Sequence, residues 1–248
     1  MQQLRGRLYL AENAIRASDL SRDGRHALPS DDQSWHLLLV NRAGAVLGCT
    51  RFRQHSAAIS FDDLGTAGTT VAKSALWGPK LRAAVEGELS TARASGFSYV
   101  EVGGWAMDPR VRGTAECLRS VLAIYAWSRL VGGAVGICTA TERNGSAIIL
   151  RKLGGHDLKS DGVAIPPYFD PRYQCTMHVL GFDSRRPNPR YEAAINQIAE
   201  SLLDVPVISA EKPFAERPFA ERPFAPTVVH NFPILREPAL LRNVAFAL

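Results

Sequence analysis

Cysteine is scarce in this chain, and its few cysteines are scattered. Cys49, Cys117, Cys138 and Cys175 are far apart and form no Cys-x-x-Cys pair. A disulfide framework or a cysteine-based metal site needs closer and more regular spacing. We therefore interpret the four as small core residues of a protein in a reducing compartment, and the sequence predicts no metal site.

Long apolar runs and dense basic runs are also missing from the sequence. No stretch approaches the roughly 20 apolar residues of a membrane span. The N-terminal residues lack the apolar core and the cleavage site of a secretion signal. Lys and Arg do not alternate with aromatic residues as they do on nucleic-acid surfaces. These features predict a cytoplasmic protein with no transmembrane segment and no nucleic-acid partner.

Positive charge is in excess, and the excess is unevenly distributed. The chain has 29 Lys and Arg residues against 24 Asp and Glu residues, a net charge of +5. Charges balance in residues 183–248, so the whole excess lies in residues 1–182. Such an excess favours an anionic partner, for example a nucleotide, coenzyme A or the acidic surface of an acyl carrier protein.

Residues 97–133 have the pattern of a strand, a turn and a long helix. β-Branched and aromatic residues at 97–105 predict the strand. Thr114 is placed to cap a helix that runs to about Leu130 with one apolar face. Gly132 and Gly133 then end that helix.

The turn before this helix is suited to binding phosphate. The N-terminus of a helix has unpaired N–H groups and a partial positive charge. Gly113 and Ala115 would let a pyrophosphate approach the backbone, and Arg110 and Arg112 would add charged donors. A glycine and two arginines also precede helices that bind nothing, so the turn alone leaves both interpretations open.

Two motifs together resemble a known family. Arg110-x-x-Gly113-x-Ala115, after Ala106-Met107-Asp108-Pro109, resembles the acyl-CoA-binding motif of the GNAT superfamily of N-acyltransferases. Asn144-x-x-Ala147, after a predicted buried strand at 134–140, is similar to that family's Asn-x-x-Ala helix. The resemblance spans residues 34–158 and implies an acyl-CoA or acyl-ACP phosphopantetheine donor. The donor-site residues that it implies are Ala106, Met107, Arg110, Arg112, Gly113, Thr114, Ala115, Asn144 and Arg151.

The resemblance also implies the fold, an α/β (α+β) arrangement with a central mixed, mostly antiparallel sheet flanked by helices on both faces. We assign this acyltransferase domain to residues 1–205. A helix over residues 8–20 and a hairpin over 35–41 and 45–53 are expected near its start.

Residues 206–248 are expected to form a poorly ordered, Pro-rich linker and tail. Three copies of one pentapeptide begin at Ala210, Ala215 and Ala220, and a proline at every fifth position prevents a regular helix. The repeats could bind a partner through their phenylalanines or could be a spacer that arose by slippage. The sequence leaves their role open.

Candidate catalytic residues lie on the strand before the turn. Glu101 is a carboxylate between two valines, and the resemblance implies a general base there. A solvent-facing or structurally paired glutamate is the alternative, with Glu142 and His156 as weaker candidates for the base. Gly103 and Gly104 suggest either a bulge or a close approach of backbone to ligand.

The family binds the thioester carbonyl with a backbone N–H of this strand, which corresponds here to the region of Trp105 or Ala106. It also commonly supplies a tyrosine that protonates the leaving thiolate, and this chain has Arg151 at that position. Arg151 cannot readily give up a proton, although it could pair with a thiolate or a phosphate. A plain surface arginine is the other interpretation.

An early loop corresponds to the family's acceptor site. His26, Asp32 and Trp35 in and beside this loop are the candidate acceptor-binding residues, together with Gly103 and Gly104. Asp31 and Asp32 could equally form a turn and nothing more.

Beyond the two motifs, the chain resembles the N-acyl amino acid synthases, which are related to acyl-homoserine lactone synthases. This implies transfer of a long acyl group to an amino acid or similar small amine. An acetyl-CoA-dependent acetyltransferase and a non-catalytic acyl-CoA-binding module are the alternatives.

Overall fold

The computed structural model describes residues 1–56, 58–209 and 242–247. Its helices are α1 (Gln2–Ala11), α2 (Gly78–Ala94), α3 (Ala115–Leu130), α4 (Ser146–Leu153) and α5 (Glu192–Leu203). Its strands are β1 (Trp35–Val40), β2 (Val46–His55), β3 (Ser98–Met107), β4 (Ala134–Thr141), β5 (His156–Asp157), β6 (Lys159–Ser160), β7 (Val163–Ala164), β8 (Tyr168–Asp170), β9 (Cys175–Asp183), β10 (Val207–Ser209) and β11 (Arg242–Ala247). Short 3₁₀ turns lie at Ala17–Asp19, Phe61–Asp63, Gly65–Gly68, Pro109–Val111 and Pro189–Tyr191.

Nine of these strands form one sheet. Its order is β10, β11, β1, β2, β3, β4 and β9, with β5 and β8 both paired to the outer edge of β9. The β1–β11 and β3–β4 pairs are parallel, and the other described pairs are antiparallel. The predicted mixed, mostly antiparallel sheet is confirmed.

Helices cover both faces of this sheet. On one face, α3 and α5 pack over Trp35, Leu37 and Phe52 in the largest apolar core. On the other face, α2 packs over Tyr99 and Ile137. Helix α1 lies on this second face too, because its Leu4 and Leu8 contact Leu38 and Cys49.

Strand alternation decides which side chains reach which face, because successive residues of a strand point to opposite sides. Val100 contributes to the α3 core, whereas Tyr99 contributes to the α2 core. Glu101 and Gly103 have the parity of Tyr99, so they face α1 and α2.

Strands β3 and β4 separate before they end. Their parallel ladder runs from the Ser98–Ala134 pair to the Val102–Cys138 pair. Strand β3 nevertheless continues to Met107 and β4 to Thr141. Beyond the last pair a gap opens between the two strands, and it connects the two faces of the sheet.

The first helix is not where the sequence predicts it. It spans Gln2–Ala11 rather than residues 8–20, and only Ala17–Asp19 of the later part is helical, as a 3₁₀ turn. Gly6 lies within this helix and weakens its sequence signal, since glycine is a poor helix former. Its lack of a side chain is required, because a Cβ there would lie 2.3 Å from the carbonyl oxygen of Gly24.

The sheet extends past residue 205, which we expected to end the domain. Strands β10 and β11 lie within residues 206–248, and β11 pairs with β1 in parallel. The pentapeptide repeats lie outside the described residues, so the order expected for them stays a prediction.

Candidate active site

A cavity of about 800 Å³ passes through the gap between β3 and β4. Its polar wall, on the α1 and α2 face, includes Arg5, Tyr9, Ser30, Arg51, Thr66 and Glu101. Its apolar wall, under α3, includes Val121, Ile124, Tyr125, Leu150 and Phe182. The cavity therefore joins a charged compartment to an apolar chamber through the opened strands.

Glu101 lies on the polar wall and is held from three sides. Its Oε2 is 3.1 Å from His55 Nε2 and 3.5 Å from Arg53 Nη1, and its Oε1 accepts a hydrogen bond of 3.2 Å from the Thr66 backbone N–H. Burial acts to raise the pKa of this carboxyl, but the hydrogen bonds from His55 and the backbone outweigh it and lower the pKa. Glu101 is thus ionised at neutral pH and can accept a proton.

Gly103 and Gly104 make room for two arginines. A Cβ on Gly103 would lie 3.5 Å from Arg51 Nη2, and one on Gly104 would lie 3.3 Å from Arg5 Nη1. Gly104 also has φ of +62°, which side-chain-bearing residues rarely adopt. The pair of glycines lets β3 bulge beside two guanidinium groups at the opening of the strands.

Arg5 is buried behind this bulge with Asp31. Neither side chain is more than 1% exposed. Arg5 Nη1 donates to Asp31 Oδ1 at 2.9 Å, and its Nη2 donates to Asp31 Oδ2 and to the His26 carbonyl. No sequence signal marks Arg5, because the apolar pattern predicts the first helix at residues 8–20 and Arg5 lies before it.

The start of α3 has the features of an anion site. Gly113 adopts φ of +75°, and a Cβ there would meet no described atom within 4 Å. Thr114 is the N-cap residue but caps no N–H, because its hydroxyl donates to the Val111 carbonyl at 2.7 Å. Gly113, Thr114 and Ala115 are all exposed. These residues fit the phosphates of coenzyme A or phosphopantetheine, which would pair with the free N–H groups of the first turn.

The two arginines of the motif are paired within the protein. Arg110 turns back to Asp108, with Nε 2.8 Å from Oδ1. Arg112 donates through Nε to the Met107 carbonyl and through Nη2 to Glu12 Oε1, at 2.9 and 2.5 Å. Neither guanidinium lies in the cavity wall. Because each is paired with a carboxylate, a phosphate would have to compete with Asp108 for Arg110 and with Glu12 for Arg112.

Glu12, at the end of α1, connects the two donor motifs. Its Oε2 accepts a hydrogen bond of 3.0 Å from Asn144 Nδ2, while its Oε1 binds Arg112. Arg143 Nη1 also donates to the Glu12 carbonyl at 2.8 Å. Asn144 lines the cavity, as the resemblance implies for a donor residue.

Other residues expected at the donor site lie elsewhere. Ala106 and Met107 are buried in the two cores beside β3. Arg151 is not in the cavity wall, because it binds Asp157 Oδ1 through Nε and Nη2 and approaches His178 Nδ1 at 2.9 Å. Those contacts occupy the Arg151 guanidinium.

The early loop in which we expected acceptor-binding residues reaches the cavity, but through residues other than those predicted. Leu28, Pro29 and Ser30 line the wall, whereas His26, Asp32 and Trp35 do not. His26 is 3% exposed. Burial, and to a smaller extent the positive charge of Arg5, lowers the pKa of its imidazole, so the ring is neutral at pH 7. Asp32 faces solvent. Trp35 packs on Trp127 in the α3 core, with ring centroids 4.7 Å apart.

Trp105 lies where β3 has left β4, and it lines the cavity. Its indole N–H donates to Ser120 Oγ at 3.0 Å, which fixes the ring against α3. Four tyrosines also line the cavity, namely Tyr9, Tyr125, Tyr168 and Tyr173. Burial raises the pKa of Tyr9, Tyr125 and Tyr168, so these hydroxyls stay protonated and can donate.

Among residues 1–56, 58–209 and 242–247, no group of three His, Cys, Asp or Glu side chains could hold a metal ion. Within the same residues, no helix combines the length and the apolar character needed to cross a membrane.

No protein-family model and no curated protein sequence matches the chain. Its structure is similar to that of BjaI, a CoA-dependent acyl-homoserine lactone synthase solved with SAM and isopentyl-CoA, with a TM-score of 0.50, 15% identity and 79% of each chain covered. The N-acyl amino acid synthase FeeM, from uncultured soil microbes, gives a TM-score of 0.38 and 10% identity over 57% of this chain and 62% of its own. The chain thus spans less than two thirds of FeeM.

An agmatine N-acetyltransferase mutant gives a TM-score of 0.35 and 16% identity, over 56% of this chain and 70% of its own. The chain shares the fold of BjaI, and its mixed, mostly antiparallel sheet with helices on both faces is the arrangement that the two motifs predict.

Proposed function

We propose that the chain is an N-acyltransferase that moves a long acyl group from acyl-CoA or acyl-ACP to the amine of an amino acid or a similar small amine. The observation that carries this proposal is the cavity of about 800 Å³ that joins Glu101 to an apolar chamber. Ligand pockets of roughly 300–1,000 Å³ hold molecules far larger than an acetyl group. A long alkyl chain would fill the chamber under α3.

The residues divide the reaction among themselves. Glu101 takes the proton of the amine, directly or through a water, because it is ionised and faces the cavity. Backbone N–H groups of β3 near Trp105 and Ala106 stabilise the negative charge that develops on the carbonyl oxygen, since β4 no longer pairs with this part of β3. A protonated cavity tyrosine gives a proton to the leaving sulfur.

The donor would bind across the two motifs. Gly113, Thr114 and Ala115 hold its phosphates at the start of α3, and Asn144 lies beside the arm that enters the gap. Arg110 and Arg112 contribute charge at the surface, where the acidic face of an acyl carrier protein would approach. The net charge of +5 supports such a partner.

The experiment is a donor series with direct product detection. Purified protein is incubated with acyl-CoA and acyl-ACP donors of increasing chain length and with a mixture of amino acids and simple amines, and products are identified by mass spectrometry. Long-chain N-acyl products support the proposal. Acetylated products alone would replace it with an acetyltransferase, and coenzyme A binding without any product would replace it with a binding module.

A further inference from the structure

The polar wall of the cavity carries a buried positive charge that its own neighbours do not balance. Arg5 and Arg51 both line this wall with the Asp31 carboxylate between them, and the other carboxylate of the wall, Glu101, is paired with Arg53. Asp31 is already satisfied, since it accepts hydrogen bonds from Arg5, from Gln2 Nε2 at 3.1 Å and from the Leu28 N–H at 3.0 Å. Arg51 Nη1 is 3.7 Å from Asp31, too far for a hydrogen bond.

Polar atoms at the same wall also lack partners. Arg5 Nε and Arg51 Nε are buried and have no hydrogen-bond partner among the described residues. Arg5 is 0% exposed, so solvent does not readily compensate its unpaired N–H. A buried polar group without a partner costs free energy, and such groups are usually satisfied by a ligand or an ordered water.

Arg51 is the member of this group that a ligand can reach. Its side chain is 17% exposed, and Nη1 donates to Ser30 Oγ at 2.8 Å, which orients the guanidinium. Burial, only partly offset by Asp31, lowers the pKa of Arg51, as expected for a cation short of negative charge. The group remains charged, because arginine does not lose its proton in proteins.

Register places Arg51 beside the candidate base. On the antiparallel β2–β3 pair, Arg51 is opposite Gly103 and Arg53 is opposite Glu101. Two residues along a strand span about 7 Å, and Gly103 leaves the space in front of Arg51 open. An ammonium group near Glu101 and a carboxylate at Arg51 would therefore suit one small molecule that carries both.

We propose that Arg51 binds the α-carboxylate of the acceptor, so that the acceptor is a free α-amino acid and not a simple amine. Arg51 recognises the carboxylate through its charge and its free N–H groups, while Glu101 receives the amine at the opening of β3 and β4. This inference rests on the proposed N-acyltransferase function and specifies its acceptor by the group that Arg51 selects.

The test measures acceptor binding apart from turnover. Each of the twenty L-amino acids is first titrated into the donor-free protein by calorimetry, and the tightest binder is compared with its own α-carboxamide. Wild-type protein should prefer the acid by about 10- to 100-fold, the range expected for a hydrogen bond to a charged group. Arg51→Gln should reduce this preference to below about threefold, and Arg51→Lys should retain part of it.

A matched control separates recognition from general charge. Lys73 is an exposed cation that lines the same cavity, so Lys73→Gln removes the same charge without touching the proposed site. It should keep the preference for the acid. Circular dichroism checks that each variant is folded. If Arg51→Gln does not fold, the comparison of acid and amide affinity is made with Arg51→Lys.

The outcomes are distinct. Equal affinity of wild-type protein for acid and amide, no binding of any amino acid, or an unchanged preference in Arg51→Gln would overturn the inference. An Arg51-dependent preference for the acid, without acyl transfer from any donor, would support the carboxylate site and overturn the proposed N-acyltransferase function.

Discussion

Arg5 and Asp31 form a buried ion pair that joins the first helix to the loop before β1. Arg5 Nη1 lies 2.9 Å from Asp31 Oδ1, and both side chains are almost fully withdrawn from solvent. Breaking such a pair leaves one charge buried and alone, which is far more costly than losing an exposed pair. The polar wall of the cavity is built on this contact, because Arg5 packs against Gly104.

Asp31→Ala is expected to lower the free energy of unfolding by about 3–5 kcal/mol, the cost of stranding a buried charge. Chemical denaturation monitored by circular dichroism measures this loss. The matched control is Asp32→Ala at the next residue, which is exposed and should change stability by less than about 0.5 kcal/mol. Equal losses in the two variants would contradict the role given to the Arg5–Asp31 pair.

The same pair predicts a pH dependence of stability. Burial acts to raise the pKa of Asp31, but the hydrogen bond and charge of Arg5, with the hydrogen bonds from Leu28 and Gln2, together outweigh it and lower the pKa from 3.8 to about 2. A depressed pKa in the folded state gives stability that is complete above pH 3.8 and is lost as the pH falls towards 2. The difference amounts to about 2 kcal/mol at 1.36 kcal/mol for each pKa unit.

Comparison with Asp31→Asn isolates this contribution, because all other carboxylates titrate in both proteins. The stability advantage of wild-type protein over Asp31→Asn should shrink by about 2 kcal/mol between pH 5 and pH 2. An advantage that stays constant over that range would show that Asp31 does not titrate with a depressed pKa.

The sequence was enough to predict the strand, turn and helix around Gly113, because local signals determine them. A glycine with positive φ, an N-cap threonine and an apolar helix face act within a few residues of one another. The first helix was misplaced, since the contact that explains Gly6 is with Gly24 and is invisible without the fold. The pairing of β11 with β1 joins distant segments and carries no local signal.

Five of the residues predicted for the site lie together in one cavity wall, and their roles stay predictions. These are Glu101, Gly103, Gly104, Trp105 and Asn144. Arg51 was missed, although Arg51, Arg53 and His55 alternate along β2 and together face the charge of Glu101. The alternation of these three basic residues is visible in the sequence. That they face Glu101 depends on the register between β2 and β3, which the sequence does not specify.

Glu101→Gln is expected to lower kcat by about 10²- to 10⁴-fold, the range for loss of a positioned general base. Glutamine keeps the size of the side chain, so donor binding should not change. Steady-state kinetics with the best acyl donor and acceptor gives kcat, and calorimetry gives the Kd for coenzyme A. A kcat within threefold of wild type would remove Glu101 from the mechanism.

Glu12→Gln is expected to tighten coenzyme A binding about fivefold, the value of one exposed ion pair. The substitution releases Arg112 from the carboxylate that now occupies it at 2.5 Å. The gain should fade at high salt, because the charges are partly exposed. Calorimetric titration at two salt concentrations measures both effects.

The control for Glu12 is Glu192→Gln. Glu192 forms an exposed pair with Arg129 at 2.7 Å, at the far end of α3. Its loss changes the net charge equally but leaves the donor motifs untouched, so the Kd for coenzyme A should stay the same. A similar gain in both variants would assign the effect to overall charge and not to Arg112.

Val121→Trp is expected to shorten the preferred acyl chain by several carbons. Val121 lines the apolar chamber, and each methylene group that is buried contributes about 0.8 kcal/mol. The value of kcat/KM should rise with chain length in wild-type protein and stop rising earlier in the variant.

Leu122→Phe is the control, because Leu122 is buried in α3 but is not part of the cavity wall. It should reduce stability by about 1–3 kcal/mol through overpacking and leave the chain-length preference unchanged. An identical preference in Val121→Trp and wild-type protein would mean that the acyl chain lies elsewhere.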